Sequence, residues 1–229
     1  MIDVAGLSHS FGSRPVLDAV SFRVAKGEFV FLTGRSGAGK TTLLRLLHGD
    51  LPVRNGTVQV AGFDMKNLTR RDLSLLRRQV AVVFQDFKIL DDCTVRENVA
   101  LPLEVLGLSA TRIARRVDAV ISSLGLSRLA HAACATLSGG EKQRVAIARA
   151  MVSGPKIILA DEPTGNLDQE TAWRLLDVFK QFHAHGVTIL MATHNQAFIE
   201  ATPQATVFSL ENGRLREAYA RPSQQESAQ

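Results

Sequence analysis

Residues 34–42 form a glycine-rich segment whose residue types are suited to binding phosphate groups. The segment matches the pattern G-x-x-x-x-G-K-[ST], in which backbone N–H groups and a lysine surround the phosphates of a nucleotide and a hydroxyl group reaches its Mg²⁺ ion. An apolar run precedes it and a leucine-rich run follows it, so the sequence predicts a buried strand, a phosphate-binding turn and a helix. We therefore expect the loop to bind a nucleoside triphosphate. The expected binding residues are Gly34, Arg35, Ser36, Gly37, Ala38, Gly39, Lys40, Thr41 and Thr42.

Carboxylate and imidazole side chains end two other apolar runs of the chain. Asp161 and Glu162 end the first of these runs, and His194 ends the second. The carboxylate of Asp161 suits Mg²⁺, and Glu162 could orient or deprotonate an attacking water, since phosphoryl transfer depends mainly on positioning. A lone histidine at the end of a strand is usually structural, but ligands of α/β proteins lie beyond the carboxyl ends of strands. We therefore interpret Glu162, His194 and Lys40 as catalytic residues and Asp161 as a metal-binding residue.

Residues 137–144 contain two consecutive glycines at the predicted start of a helix. Ser138 and Glu141 have the spacing of a capping box, which gives both residues a structural role. The box does not explain Gly139 and Gly140, which leave backbone N–H groups uncovered at the positive end of the helix dipole. The sequence therefore predicts a second anion-binding site at this helix terminus.

Length and composition describe an ordinary soluble globular protein. The 229 residues suit one domain with a substantial core, since 45% of them are hydrophobic and 21% are charged. No apolar run approaches the ~18–20 residues of a membrane span and the first residues do not resemble a secretory signal, so we expect the chain to remain in the cytoplasm. Cys93 and Cys134 lack metal-binding spacing, so we expect both to be reduced and structural. The net charge of +5 is compatible with nucleic acid or an anionic membrane but by itself indicates neither.

The predicted elements divide the chain into a core and two smaller parts. Residues 1–30 and 56–64 contain short strands separated by turn residues. Residues 88–150 are mostly helical and contain no second phosphate loop, so we interpret them as an inserted subdomain. We expect a single domain over residues 1–221, with the remaining residues forming the core, and a disordered polar tail over residues 222–229.

Three features of the sequence allow more than one interpretation. Phe11 could stack on an adenine ring, but an isolated aromatic residue is more often part of the core. Residues 66–79 are predicted to form a helix with an arginine-rich face, which is either solvated or in contact with phospholipid headgroups or a partner. Gln85 closes an apolar strand, which is unremarkable alone, but beside a phosphate loop it could meet Mg²⁺ or the attacking water.

In this order along the chain, the motifs resemble the nucleotide-binding domain of the ABC ATPases over nearly the whole sequence. The resemblance implies an α/β fold: a P-loop NTPase core with a mixed, mostly parallel sheet and flanking helices, an N-terminal antiparallel β subdomain and an inserted α-helical subdomain. It also implies a head-to-tail homodimer that sandwiches two ATP molecules, in which each γ-phosphate meets Lys40 of one subunit and the paired glycines of the other. The resemblance is carried by residues 34–42, Gln85, Leu137-Ser138-Gly139-Gly140-Glu141, residues 157–162, Asn166-Leu167-Asp168 and His194.

The same resemblance implies a role for each residue of the expected site. ATP and Mg²⁺ are the implied cofactors, with Thr41, Gln85 and Asp161 serving the metal ion. Glu162 acts on the attacking water and His194 senses the γ-phosphate. The implied nucleotide-binding residues outside the phosphate loop are Phe11, Gln85, Ser138, Gly139, Gly140 and Asp168, of which Asp168 also crosses the dimer interface.

Within this family the chain most resembles the FtsE group of bacterial cell-division ATPases. The short link between Phe11 and Leu17 favours that group over relatives with a longer insertion there. The resemblance implies a peripheral location at the cytoplasmic face of the inner membrane, where an FtsX-like integral membrane protein docks near residues Phe84 to Leu90. Divisome components are further candidate partners, and no nucleic acid is expected. ATP-driven closure of the dimer would then regulate septal cell-wall hydrolysis.

Two other functions share these motifs. A lipoprotein-releasing or macrolide-efflux type of ABC transporter would use identical chemistry, whereas a soluble ABC protein acting on nucleic acid usually carries insertions that this sequence lacks. The sequence also departs from the family pattern at three positions. Phe11 replaces a frequent tyrosine, Lys142 a frequent glutamine and Asn195 a common aspartate. The last replacement puts the interaction of the residue 195 side chain in doubt.

Overall fold

The structure is a computed structural model that describes residues 1–84, 87–165 and 167–219. The predicted tail over residues 222–229 lies outside the described residues. The strands are β1 (Ile2–Phe11), β2 (Arg14–Val24), β3 (Phe29–Thr33), β4 (Asn55–Val60), β5 (Phe63–Asp64), β6 (Val80–Val83), β7 (Ile157–Asp161), β8 (Thr188–Ala192), β9 (Thr206–Glu211) and β10 (Arg214–Tyr219). The helices are α1 (Lys40–His48), α2 (Arg70–Arg77), α3 (Val95–Val105), α4 (Ala110–Ser123), α5 (Gly139–Met151), α6 (Gln169–Ala184) and α7 (Gln196–Glu200), with short 3₁₀ turns at Ser127–Leu129 and Cys134–Thr136.

The larger sheet has six strands in the order β10-β9-β3-β8-β7-β6. Its neighbouring strands are parallel except for β9 and β10, which form an antiparallel edge. β3, β7 and β8 are short apolar runs because both faces of this parallel sheet are covered. Ala192 pairs with Leu32 on one side and with Asp161 on the other. The three strands therefore end at the same level, and the residues that follow them meet at one edge of the sheet.

Two hydrophobic cores cover the two faces of this sheet. Successive residues of a strand point to opposite faces, so Phe29 and Phe31 of β3 pack in the core that contains α3, α4, α5 and α6. Val30 and Leu32 belong to the other core, which contains α1 and the smaller sheet. The larger sheet is therefore the middle layer of the fold, and the phosphate loop leads from it into the α1 side.

The smaller sheet is antiparallel and has the strand order β2-β1-β4-β5. The sequence predicts most of it but misses β5, which has only two residues. β2 is continuous through Leu17 and Val20. Ala19 has a φ of 48°, and the register with β1 shifts at this point. This irregularity of the strand is recognisable only from the pairing of β2 with β1.

The helices of the insertion, α3, α4 and α5, share one apolar core. α4 packs into it through one side, where it buries Val117 and Ile121. Pro102 lies inside α3, which continues beyond it to Val105. In the described part of the chain, none of the helices combines the length and the hydrophobicity that crossing a membrane requires.

The core of the larger sheet offers a direct test of this packing. Leu190 of β8 has 0% exposed surface, so replacing it with alanine should lower the free energy of unfolding by about 2–5 kcal/mol, measured by chemical denaturation. Val105 is 75% exposed, so Val105→Ala is the control and should change that free energy by less than about 0.5 kcal/mol. Equal losses in the two variants would contradict the burial of β8.

Candidate functional site

A cleft of about 550 Å³ lies at the edge where β3, β7 and β8 end. Thirteen of the described residues line it, and all but Val16 and Gly165 are residues that the sequence predicts for the site. Ala38, also predicted, is buried and is not among the lining residues. The predicted residues that line the cleft are Gly34, Arg35, Ser36, Gly37, Gly39, Lys40, Thr41, Thr42, Asp161, Glu162 and His194.

The conformation of the loop before α1 requires glycine at two positions. Gly34 has a φ of 145°, and a Cβ atom placed on it would lie 2.2 Å from the carbonyl oxygen of Leu210. Gly39 has a φ of 108°, and its Cβ atom would lie 2.9 Å from Leu17. Larger residues would therefore force the loop away from β9 and β2. With glycine at both positions, the chain turns tightly into α1 and presents the start of that helix to the cleft.

Lys40 places its ammonium group inside the cleft. The residue is only 8% exposed, so its charge must be compensated locally. Its Nζ donates a hydrogen bond of 2.7 Å to the carbonyl oxygen of Gly34 and lies 3.6 Å from Oε1 of Glu162. The phosphate loop and the end of β7 are thus linked through one lysine side chain.

Glu162 stands between the predicted catalytic groups. It follows β7 with a φ of 46°, in the left-handed region that non-glycine residues rarely adopt. Its N–H donates to the carbonyl oxygen of Ala192 at 3.0 Å, which holds the residue in this conformation. Its Oε2 lies 2.9 Å from Nδ1 of His194 and its Oε1 faces Lys40. Backbone strain at a carboxylate that contacts both a lysine and a histidine is typical of a functional site.

Two oxygen-bearing side chains of the cleft have the chemistry of Mg²⁺ ligands. Asp161 is 6% exposed at the end of β7, and Thr41 lies in the first turn of α1. Both line the cleft, and Mg²⁺ usually takes one or two protein oxygens together with phosphate oxygens and water. The residues present therefore fit the ion. The third predicted ligand, Gln85, lies outside the described residues.

The paired glycines lie at the first turn of α5. Ser138 forms the predicted capping box: its N–H donates to the Glu141 carboxylate at 2.8 Å, and the N–H of Glu141 donates to its Oγ at 3.4 Å. The hydrogen bonds from Ser138 lower the pKa of the Glu141 carboxyl group, backbone bond first. Ser138 and Gly139 are exposed, and a Cβ atom on Gly139 would meet none of the described residues within 4 Å. This helix terminus is thus open, and residues 138–140 are not among the lining residues of the cleft.

The remaining predicted residues also lie outside the cleft. Asp168 caps α6 by accepting the N–H of Thr171 at 2.9 Å, a bond that lowers the pKa of its carboxyl group. Its neighbour Leu167 approaches the position that a Cβ atom of Gly140 would take, at 3.3 Å. The turn before α6 and the start of α5 therefore lie side by side. Phe11 is 49% exposed, so the alternative that it belongs to the core is wrong.

Sequence reasoning missed contacts that join residues distant along the chain. Val16 lines the cleft from β2, and only the tertiary fold brings it there. Cys93 and Cys134 flank an isolated bridge, and the N–H of Cys134 donates to the carbonyl oxygen of Cys93 at 2.9 Å. Both thiols are free and Cys134 is buried, which agrees with the predicted reduced state. No local motif marks either contact.

A second concave surface, of about 570 Å³, lies between α2 and α3. We call it the α2–α3 groove. One wall carries arginines of the basic face predicted over residues 66–79, and the other carries apolar residues of α3, including Leu101 and Val105, which are 37% and 75% exposed. The residues that line the groove are Arg70, Leu73, Ser74, Arg77, Arg78, Leu101, Pro102, Val105, Leu106 and Ser153.

Comparisons of the sequence with known proteins match most of the chain. A family model described as ABC transporter matches residues 17–165. The chain is 45% identical over 199 residues to the cell division ATP-binding protein FtsE of Streptococcus pneumoniae (strain ATCC BAA-255 / R6), which covers 87% of this chain and 86% of the relative. It is 44% identical to the protein of the same name from Mycobacterium tuberculosis, with 93% of both chains covered. The protein of that name from Escherichia coli (strain K12) is 47% identical, with 80% and 83% covered.

Solved structures of similar fold are ATP-binding cassettes. A dimeric cassette in a post-hydrolysis state, bound to ADP and Pi, superimposes with a TM-score of 0.89 at 29% identity, covering 97% of this chain and 100% of that one. A dimeric bacterial ABC transporter cassette gives the same TM-score and coverage at 30% identity. The fold class predicted from the sequence is thereby confirmed.

The contacts of Lys40 lead to a prediction for nucleotide binding. Lys40→Ala removes a buried cation that can donate charge-assisted hydrogen bonds to phosphate oxygens, so affinity for ATP should fall by about tenfold to a hundredfold in a calorimetric titration. Lys66→Ala is the matched control, because Lys66 is exposed on a turn after β5. Unchanged ATP affinity in Lys40→Ala would contradict a phosphate-binding role for this side chain.

Proposed function

The chain belongs to the ABC transporter family, and we propose that it binds and hydrolyses ATP as a head-to-tail homodimer. The observation that carries the proposal is the open start of α5, where Ser138 and Gly139 are exposed and stand apart from the cleft around Lys40. A helix terminus with uncovered N–H groups is suited to an anion. A second copy of the chain, arranged head to tail, would present this terminus to the phosphates held by Lys40, so each ATP would contact two subunits.

Within one chain, the cleft supplies the groups that phosphoryl transfer to water requires. The ammonium group of Lys40 would exchange its present contacts for oxygens of the β- and γ-phosphates. Thr41 and Asp161 would hold Mg²⁺, which neutralises developing charge on the phosphates when it is bound, and Gln85 is proposed as a further ligand. Glu162 would orient the attacking water and accept its proton, with His194 fixing the carboxylate through the bond at Nδ1.

The second subunit would complete this site. The N–H groups of Gly139 and Gly140 and the hydroxyl group of Ser138 are proposed to bind the γ-phosphate from the opposite side. Because Leu167 lies beside Gly140, the adjoining Asp168 is well placed to contact the partner subunit in the same interface. Phe11, which is exposed, is proposed to stack on the adenine ring. Closure of the dimer would then be driven by ATP held between the two subunits.

We propose that the work of this ATPase is in bacterial cell division. Relatives that share 44–47% of their residues with the chain over most of its length carry the name cell division ATP-binding protein FtsE. By analogy, the chain would bind an FtsX-like integral membrane protein at the cytoplasmic face of the inner membrane, and dimer closure would regulate septal cell-wall hydrolysis. A lipoprotein-releasing or macrolide-efflux transporter would use the same chemistry, so the identity of the membrane protein that co-purifies from native cells decides between them.

The proposed docking surface for this partner runs from the segment before α3 into the α2–α3 groove. Leu90 is 45% exposed in the segment before α3, and Leu101 and Val105 are exposed on α3 itself. Arg70, which lines the opposite wall with two further arginines, makes that wall cationic. An amphipathic helical segment with an apolar ridge and acidic residues on one flank would suit both walls.

Docking at this surface can be tested with single charge substitutions. Leu90→Glu and Val105→Glu should each weaken co-purification of the membrane partner by about tenfold or more, because a buried charge would face apolar side chains of the partner. Leu75→Glu is the control, since Leu75 is 37% exposed on α2 but does not line the groove. Ile89 is less suitable because it packs against the core. Undiminished binding by both variants would rule out the proposed surface.

The catalytic role of Glu162 predicts a separation of binding from turnover. Glu162→Gln keeps the shape of the side chain but loses the base, so we expect ATP binding to persist while kcat falls by about a hundredfold or more. The trapped complex should elute as an ATP-dependent dimer in size-exclusion chromatography. Glu170→Gln, on the exposed first turn of α6, should retain wild-type turnover. Near-normal hydrolysis by Glu162→Gln would show that another group acts on the water.

A further inference from the structure

The segment over residues 87–93 has a strained start and begins two positions after Gln85. Phe87 and Lys88 have φ values of 56° and 47°, so two consecutive non-glycine residues adopt the left-handed conformation. Such residues are uncommon singly, and they persist only where their surroundings hold them. The contacts that hold this segment therefore indicate which part of the protein it must move with.

The first of these contacts comes from the last turn of α5. Nη2 of Arg149 donates a hydrogen bond of 3.0 Å to the carbonyl oxygen of Phe87, 62 residues away along the chain. Burial lowers the pKa of the Arg149 guanidinium group, so keeping it charged here has an energetic cost. Within the described residues, no carboxylate lies within ion-pair distance of it. A partly buried cation thus holds a backbone carbonyl group at the strained position.

Further contacts fix the rest of the segment to the helical insertion. Asn98 of α3 is fully buried, and its side-chain amide both accepts the N–H of Leu90 at 2.8 Å and donates to the carbonyl oxygen of Leu90 at 2.9 Å. Asp91 pairs with Lys142 of α5 at 2.7 Å. The carbonyl oxygen of Cys93 accepts the N–H of Cys134. Residues 90–93 are therefore attached to α3, to the first half of α5 and to the turn before it.

Each end of α5 therefore carries residues that are important for the proposed hydrolysis. Its first turn carries the open glycines of the proposed trans site, and its last turn carries Arg149. The helix has 13 residues and spans about 20 Å, so a displacement at one end moves the other end with little deformation.

We propose that Arg149 is a positioning residue for ATP hydrolysis. It ties the strained backbone at Phe87 to the helix that presents Ser138 to the partner subunit's nucleotide. The proposal rests on the proposed two-subunit function and deepens it. Arg149 itself touches neither the cleft nor the open helix start, since it lies at the opposite end of α5. Loss of this tie should therefore leave binding of ATP to its own chain unchanged and slow the step that needs both subunits.

The test compares kcat and KM for ATP in the full chain with Arg149 replaced. Arg149→Met retains an unbranched side chain but removes the charge and the N–H donors of the guanidinium group. We expect kcat to fall by about tenfold to a hundredfold while KM changes by less than about twofold. Arg149→Lys retains a cationic donor and should restore most of the lost turnover. Arg174→Met removes an exposed arginine from α6 and is the control for loss of charge. A distortion of the whole site would instead lower kcat and raise KM, and lysine would not rescue it.

The outcomes separate this inference from the proposed function. If the wild-type chain hydrolyses ATP and Arg149→Met retains its kcat, the positioning role is wrong and the ATPase assignment stands. If the wild-type chain does not hydrolyse ATP, the proposed function fails and the positioning role fails with it. Should Arg149→Met not fold in a thermal-melt control, Asp91→Asn removes the second tie at an exposed carboxylate. That variant should then lower kcat by about twofold to fivefold at constant KM, and unchanged kcat would contradict the proposal.

Discussion

The structure depends on the parallel register of β3, β8 and β7. Because Ala192 pairs with both Leu32 and Asp161, the three strands end together and deliver a loop, two carboxylates and an imidazole to one cleft. The hydrophobic runs that bury these strands are therefore also what positions the chemistry. Lys40 completes the arrangement, since its buried ammonium group requires the carbonyl oxygen of Gly34 and the carboxylate of Glu162 as neighbours. Folding and the proposed catalysis share the same constraint at this edge.

The parts of the site that the sequence predicts are those determined by local pattern. The phosphate loop is recognisable because its glycines and lysine are contiguous, and Asp161, Glu162 and His194 are recognisable because each ends an apolar run. Strand β5 and the continuity of β2 through Ala19 could not be read in this way, since a two-residue strand and a strand irregularity acquire meaning only from their pairing. The hydrogen bond between Arg149 and Phe87 could not be predicted either, because the two residues are 62 positions apart and no local sequence pattern connects them.

The positions of the remaining predicted residues divide the proposed site in two. The cleft gathers the groups that would bind and cleave ATP, whereas Ser138, Gly139 and Asp168 lie on an exposed surface outside it. Each of the polar groups on that surface has a structural role in its own chain, as a cap of α5 or of α6. The glycines have none, and this is the physical reason to expect a second copy of the chain there. ATP hydrolysis would then require the association of two subunits.

An active site shared between two chains is tested most directly by the ATPase activity of a mixture of two variants that are each inactive alone. Lys40→Ala removes the phosphate-binding lysine of one chain, and Ser138→Arg blocks the open helix start of another. If each active site combines the cleft of one chain with the helix terminus of its partner, a mixed dimer retains one intact site. ATP hydrolysis should therefore reappear when the two purified variants are mixed. No recovery in mixed dimers whose formation is verified independently would contradict a site shared between two chains.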